Sequence, residues 1–178
     1  MPSLLITGRP GVGKTTLVRR LLDALDVPAG GFYTRELLGA DGRRTGFELV
    51  TLDGRSVVLA SVDLESPQRV GRFGVDVEAL ERIGVPAIEA AVDAGRLVVV
   101  DEIGKMELLS TAFQRAVVEA LRRHRVLFGT ITRSSHPFAD ELRAQLDTIL
   151  HELTEANREK LAGLVEMQLR AALGKLSV

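Results

Sequence analysis

With 178 residues, 46% of them hydrophobic and 26% charged, the chain has the length and composition of one compact α/β domain with a sizeable core. Its 23 basic and 24 acidic residues leave a net charge of −1, which argues against, without excluding, a nucleic-acid partner. The absence of cysteine rules out disulfides, thiolate zinc sites and cysteine nucleophiles, and no apolar run approaches the roughly 18 residues of a membrane span.

The opening MPSLLITG is too short and uncharged for a secretory signal, so the expectation is a cytoplasmic protein. Ser3 to Thr7 is an apolar run stopped by Gly8, the pattern of a buried strand. From Thr15 to Leu25, Leu17, Leu21 and Leu25 fall one turn apart with Val18 and Leu22 beside them, which predicts an amphipathic helix. Between the two stands GRPGVGKT, Gly8 to Thr15, which fits G-x-x-x-x-G-K-[ST] at every fixed position. Gly8, Gly11 and Gly13 let the backbone curl until successive N–H groups point into one concavity, and the helix starting near Lys14 adds the positive end of its dipole. Lys14 supplies a charge for the β- and γ-phosphates, the Thr15 hydroxyl suits Mg²⁺, a hard cation that takes oxygen, and Thr16 offers a hydroxyl to the α-phosphate. The competing reading, a Gly-rich turn with an exposed lysine, leaves the agreement of motif and context unexplained.

A β-rich stretch follows from Gly30 to about Arg72, holding GGFYTREL, TGFELVTL and RSVVLAS. Asp41-Gly42 and Asp53-Gly54 separate these runs, a strong hairpin signal because glycine tolerates positive φ. The stretch is too short for its own core, so it is an inserted sheet or a sheet extension. Val77 to Ala94 reads as helix, with a break at Gly84, a restart at Pro86 and Gly95 as C-cap.

LVVVDE, Leu97 to Glu102, predicts a central strand buried on both faces, ending in two adjacent acids. A phosphate loop needs a second acid for the magnesium shell at the end of a neighbouring strand, and Asp101 stands at that place. Adjacent strand residues point to opposite faces, so either the chain turns there and both acids serve the site, or one is a solvated end residue. In the first case Asp101 faces the metal through water and Glu102 faces the γ-phosphate, where a carboxylate can orient and deprotonate an attacking water. Gly104 permits close backbone approach. Lys105 is open to pairing with Glu102 or Glu107, to phosphate or to solvent, and Glu107 suits the start of the next helix through its dipole.

Leu109 to Arg123 puts Phe113, Val117 and Leu121 on one helix face. The basic run Arg122-Arg123-His124-Arg125 lies at its C-terminal end and complements the dipole there. Arg125 to Ile131 is a second buried strand, followed by a helix near Ala139 to Gln145, a short strand from Thr148 to Leu150, and a last helix starting near Thr154 that buries Leu161, Val165 and Leu169. Strands alternating with helices predict a mostly parallel sheet covered by helices, with ligands at the carboxyl ends of the strands. His124, His136 and His151 are scattered and suggest no transition-metal site.

GRPGVGKTT, GGFYTREL, TGFELVTLDG, VVVDEIGKMEL and FGTI, in this order and spacing, resemble the cancer-related nucleoside-triphosphatase family, small P-loop enzymes with thermophile relatives. The resemblance runs nearly end to end. It implies an α/β RecA-like P-loop core with an added antiparallel β-region, a single domain over residues 1–178, and slow Mg²⁺-dependent hydrolysis of ATP, GTP and other nucleoside triphosphates. It further implies nucleotide contacts along Gly8, Arg9, Pro10, Gly11, Val12, Gly13, Lys14, Thr15 and Thr16, and along Val98, Val99, Val100, Asp101, Glu102, Ile103, Gly104 and Lys105. Lys14, Asp101 and Glu102 are then catalytic, and Thr15 and Asp101 hold the metal. After FGTI this chain reads TRSSHPFADEL, where the family often has a Pro-containing loop. Arg133 in that loop is either a transition-state cation or a solvated residue. Thr154, Asn157 and Arg158 match a Thr-x-x-Asn-Arg segment, and Asn157 and Arg158 either contact the base or serve the helix start. Tyr33, Phe32 and Phe47 read as core aromatics, while Arg35, Arg43 and Arg44 reach the phosphates only if the β-region overhangs them. A nucleotide or small-molecule kinase on the same loop is the second reading and a nucleotide-dependent switch the third; no lid rich in arginine and no guanine-recognition signature supports either.

Overall fold

A computed structural model describes residues 3–174; Met1, Pro2 and residues 175–178 of the expected 1–178 domain lie outside the described residues. The apolar runs become β1 (Ser3–Gly8), β7 (Leu97–Ile103) and β8 (Leu127–Ile131), which pair in parallel with β8 in the middle. On the outer side of β1 lies β9 (Thr148–Leu153), and on the outer side of β7 lies β2 (Ala29–Leu38), both parallel to their neighbours. From β2 the sheet continues antiparallel through β3 (Arg44–Thr51), β4 (Ser56–Ser61), β6 (Phe73–Val75) and β5 (Arg69–Val70), giving the order β5-β6-β4-β3-β2-β7-β8-β1-β9. The β-rich stretch is therefore an extension of the core sheet. It runs to Val75 instead of ending near Arg72, because strands of two and three residues carry no periodic signal.

Helices cover both faces. On one, α1 (Lys14–Leu25) and α6 (Arg158–Gly174) pack Leu17, Leu21, Val165 and Leu169 against Leu4, Ile6, Val99 and Phe128. On the other, α3 (Val85–Asp93), α4 (Thr111–Arg122) and α5 (Pro137–Ala144) pack Ile88, Phe113, Val117 and Leu142 against Leu5, Val98, Val100 and Leu127. The assignment of alternate strand residues to opposite clusters is the period of two made visible.

The predicted break at Gly84 is instead a π-helical turn, Leu80–Gly84, joining α2 (Val77–Ala79) to α3. A side chain at Gly84 would meet Leu49 and Leu80 at 2.9 Å, so the glycine serves packing against the sheet. Gly95, at φ 69, ends α3 as expected. The basic run at the end of α4 is engaged locally: Arg122 pairs with Glu119, Arg123 with Asp93, and Arg125 donates to the Val92 carbonyl. The last helix begins at Arg158, four residues beyond Thr154. Thr154 and Asn157 cap the preceding turn reciprocally, each side chain accepting the other's backbone N–H. Among the described residues no helix is long and apolar enough to cross a membrane.

Candidate active site

The carboxyl end of β1 runs into the Gly8–Thr15 loop, and α1 starts at Lys14 with Gly13 as N-cap at φ 97 and no side chain capping the helix. A residue with a Cβ is strained at that φ, and the uncapped N–H groups are the ones an anion can take. Lys14 folds back over the loop, its Nζ donating to the Gly8 and Arg9 carbonyls at 3.2 and 3.3 Å. Val12 is buried against the α1–α6 side and anchors the loop. Arg158 braces it from behind, donating to the Val12 carbonyl at 2.9 Å and lying beside Gly13. The Asn157 side chain donates to the Glu152 carbonyl as well as capping. Both residues of the Asn-Arg pair are thus occupied in architecture, which favours the helix-start reading over base contact.

The loop opens on a cavity of about 620 Å³ lined by Gly8, Pro10, Gly11, Gly13, Lys14, Thr15, Thr16 and Glu102. Arg9 and Val12 do not line it: one contributes its carbonyl to Lys14 and the other points into the core. A larger concavity, about 880 Å³, lies between α3, α4 and Phe138, but none of the phosphate-loop residues faces it. Chemistry, not size, identifies the site.

The two acids arrive from β7, which is not the neighbour of β1 as expected, because β8 lies between them. Along β7, Leu97 and Val99 face the α1 side, so alternation carries Asp101 to that side too. There Asp101 is 1% exposed; it accepts a hydrogen bond from the Thr130 hydroxyl of β8 through Oδ1, while Oδ2 has no partner. Alternation then fails. Pairing with β8 skips from Val100 to Ile103, and Ile103 falls in the same cluster as Val98 and Val100. The Asp101–Glu102 peptide bond is cis. With the pairing to β8 interrupted here, Glu102 lines the cavity on the side of Lys14 instead of joining the opposite core. Burial pushes the Asp101 carboxyl up, opposed by the hydrogen bond from Thr130, by the nearby Thr15 hydroxyl and by the charge of Lys14. Burial also raises Glu102, opposed by Lys14 and reinforced by the Asp101 charge. Both acids therefore feel the same lysine.

Val98, Val99, Val100 and Ile103 are fully buried in the two cores and hold the strand in place; their side chains do not reach the cavity. Lys105 is exposed, and no ion pair joins it to Glu102 or Glu107. Glu107 departs from its expected helix-start role. It opens a 3-10 turn, Glu107–Leu109, and is only 4% exposed; Ser110 is the residue that caps α4, accepting the Phe113 N–H. Burial, with the charges of Glu102 and Asp101, lifts its carboxyl from the ordinary 4.5 to about 8, against hydrogen bonds from its own and Gly104's N–H. Below 4.5 the group is neutral in folded and unfolded chains alike. Between 4.5 and 8 only the unfolded chain releases the proton, so stability falls as pH rises through that window. Glu107→Gln is accordingly expected to gain urea resistance relative to the parent between about pH 5 and pH 8. A difference in midpoint that does not change with pH contradicts this account.

Opposite the loop stands the sheet extension. Thr34, Arg35 and Glu36 of β2 with Arg44 and Phe47 of β3 form one wall, and Thr132, Arg133 and Ser134 after β8 another. Arg35 pairs with Glu48; Arg44 pairs with Glu36 and lies over the Phe47 ring at 5.3 Å. Arg43 stays outside, in the turn beside Asp41. Phe32 packs on Phe113 in the core and Tyr33 lies under Arg19, so of the three aromatics only Phe47 meets the cavity. Arg133 lines it while paired with Glu152 at 3.5 Å. The loop from Thr132 is set by Arg143 of α5, which donates to the Thr132 and Ser134 carbonyls.

Sequence reasoning passed over Thr130, Thr132 and Ser134. The available signal for Thr130 was a hydroxyl at the end of an otherwise apolar buried run, the same signal that marked Asp101. The donors near Lys14 suit Mg²⁺: the Thr15 hydroxyl and the orphaned, buried Asp101 Oδ2 are oxygen ligands. Among the described residues no group of three or more His, Asp or Glu could hold a metal ion.

A family model described as NTPase matches residues 3–165. The nucleoside-triphosphatase THEP1 of Thermotoga sp. (strain RQ2) is 47% identical over 158 residues, 89% of this chain and 90% of that one. The human cancer-related nucleoside-triphosphatase is 40% identical over 172 residues, 88% of this chain and 90% of that one. The crystal structure of THEP1 from the hyperthermophile Aquifex aeolicus superposes with a TM-score of 0.83 at 36% identity, covering 93% of this chain and 96% of the other. The P-loop fold expected from the sequence is the one shared with these proteins.

Proposed function

The chain belongs to the NTPase family whose members include the THEP1 proteins and the human cancer-related enzyme, and from that premise we propose that it is a Mg²⁺-dependent nucleoside-triphosphate phosphatase acting on ATP, GTP and other nucleoside triphosphates. The observation that carries the reading is the position of Glu102, on the cavity wall beside Lys14.

The triphosphate lies along the Gly8–Thr16 loop, its oxygens accepting backbone N–H groups at the start of α1. Lys14 leaves the Gly8 and Arg9 carbonyls for the β- and γ-phosphate oxygens, where it offsets charge on the bridging and terminal oxygens. Thr15 and Asp101 would hold Mg²⁺, which when bound would supply positive charge to the phosphates. Thr130 keeps Asp101 turned toward Thr15. Glu102 takes a proton from a water as that water's oxygen bonds to the γ-phosphorus, and the bond from phosphorus to the β-phosphate oxygen breaks, leaving the nucleoside diphosphate and inorganic phosphate. Its raised pKa makes Glu102 a stronger base than an exposed glutamate. Breadth toward the base is supported by the relatives' names, which specify a nucleoside triphosphate and no single base.

Each of ATP, GTP, CTP and UTP, incubated with the protein and Mg²⁺ but no acceptor, is expected to release phosphate. Chelation with EDTA is expected to stop release and added Mg²⁺ to restore it. Release from one nucleotide only removes the breadth, release in EDTA removes the metal, and diphosphate formation that requires an added acceptor overturns hydrolysis itself.

A further inference from the structure

Glu107 has no task in the reaction described above, yet its carboxyl is buried at the edge of the site. An acid that merely complements a helix dipole stands in solvent. Glu107 instead turns inward and accepts the Gly104 N–H at 3.2 Å through Oε2. Gly104 explains what lies beyond. A Cβ built there would come 3.0 Å from Glu107 Oε2 and 3.3 Å from the Glu102 carboxyl carbon. Because residue 104 has no side chain, the two carboxyls flank the same small space. Both Glu102 and Asp101 act on Glu107 as like charges, and the groups that favour its ionised form are two backbone N–H groups with no cation among them.

We propose that Glu107 is a positioning residue for the water-activating carboxylate: buried, it keeps the Gly104 N–H on one oxygen and packs across Gly104 from Glu102, fixing the Glu102 carboxylate against the γ-phosphate. The proposal rests on Glu102 being the base. No bond is made or broken at Glu107; it acts on orientation alone. Misplacing a reacting group by about 1 Å can cost about 10²-fold in rate, and Glu102 stands at the end of β7 where its pairing with β8 lapses.

The experiment is steady-state phosphate release by the full chain with Mg²⁺ and ATP, with folding checked by circular dichroism and urea midpoint. Glu107→Leu, which fills the buried space without polar atoms, is expected to lower kcat about 10²-fold with KM nearly unchanged. Glu107→Gln, the isostere, is expected to recover most of that loss, since its carbonyl accepts the Gly104 N–H and its side chain fills the same buried space. Gly104→Ala, which leaves both acids in place and intrudes between them, is expected to lower kcat in the same way and serves where the leucine variant does not fold. Parent-like kcat in Glu107→Leu or in Gly104→Ala overturns the proposal. So does a glutamine variant as slow as the leucine one, since the Gly104 hydrogen bond and the shape of the side chain would then not be what positions Glu102. A kcat loss matched by an equal rise in KM also overturns it, because Glu107 would then serve only the shape of the nucleotide site. Glu102→Gln separates the two readings. If that variant turns over normally, the base assignment has failed; if it is inert while Glu107→Leu is normal, only the positioning role has.

Discussion

Glu102→Gln is expected to bind nucleoside triphosphate with near-parental affinity and to lose about 10²–10⁴-fold in turnover. The substitution keeps shape and hydrogen-bonding capacity and removes only the ability to take a proton. Glu102 lines the cavity with its carboxyl raised by burial and held in check by the charge of Lys14, which are the conditions for a base rather than for an ordinary surface ion. Calorimetric binding of ATP paired with phosphate release separates the two effects. If affinity collapses together with turnover, Glu102 belongs to the nucleotide shell and the water is activated elsewhere. Because the carboxyl is raised, parental turnover is further expected to fall as the pH drops toward the Glu102 pKa, through protonation of the base.

Lys14→Ala is expected to damage both steps. Lys14 is the cation whose charge acts on Asp101 and Glu102 alike, and it lies across the loop that takes the phosphates. Losing charge-assisted hydrogen bonds to phosphate costs about 1.5–3 kcal/mol, which weakens binding roughly 10- to 100-fold. Losing a donor that meets charge developing in the transition state costs a further 10²–10³-fold or so in kcat. The two buried acids also lose their counter-charge, so both are expected to hold their protons more firmly, and a base that stays protonated is no base. The same pair of measurements applies, at saturating nucleotide for kcat. Turnover close to the parent in Lys14→Ala would mean that the loop binds its ligand elsewhere than across Lys14.

The phosphate loop was legible because its spacing is set by a local requirement: glycines at fixed steps, a lysine and a hydroxyl at the start of a helix, all within eight residues. Leu97 to Val100 were legible as a doubly buried strand because a parallel strand covered on both faces shows as an uninterrupted apolar run. What these residues do for the acids is a different matter. The family resemblance extended nucleotide contact to Val98, Val99, Val100 and Ile103; their side chains fill the cores, which leaves only their backbone for such contact. For Arg158 the sequence left base contact and helix start open, and its bond to the Val12 carbonyl favours the second, a contact between residues far apart in the chain. Thr130 was invisible because its partner is 29 residues away on another strand.

By itself, then, the sequence determined the strand–loop–helix phosphate site, the alternating α/β order, the hairpins at Asp41-Gly42 and Asp53-Gly54, and the presence of an acid at the end of a central strand. Each follows from interactions between residues near in the chain, where spacing stands in for distance. Only the tertiary structure decided that β8 separates β1 from β7, that the β-rich stretch continues the core sheet and lines the cavity opposite the loop, and that Asp101 and Glu102 both lie on the Lys14 side despite the period of two. It also decided that Glu107 turns inward beside Gly104. These depend on strand order and on one local loss of pairing, which couple residues far apart in the chain and leave no periodic trace in it.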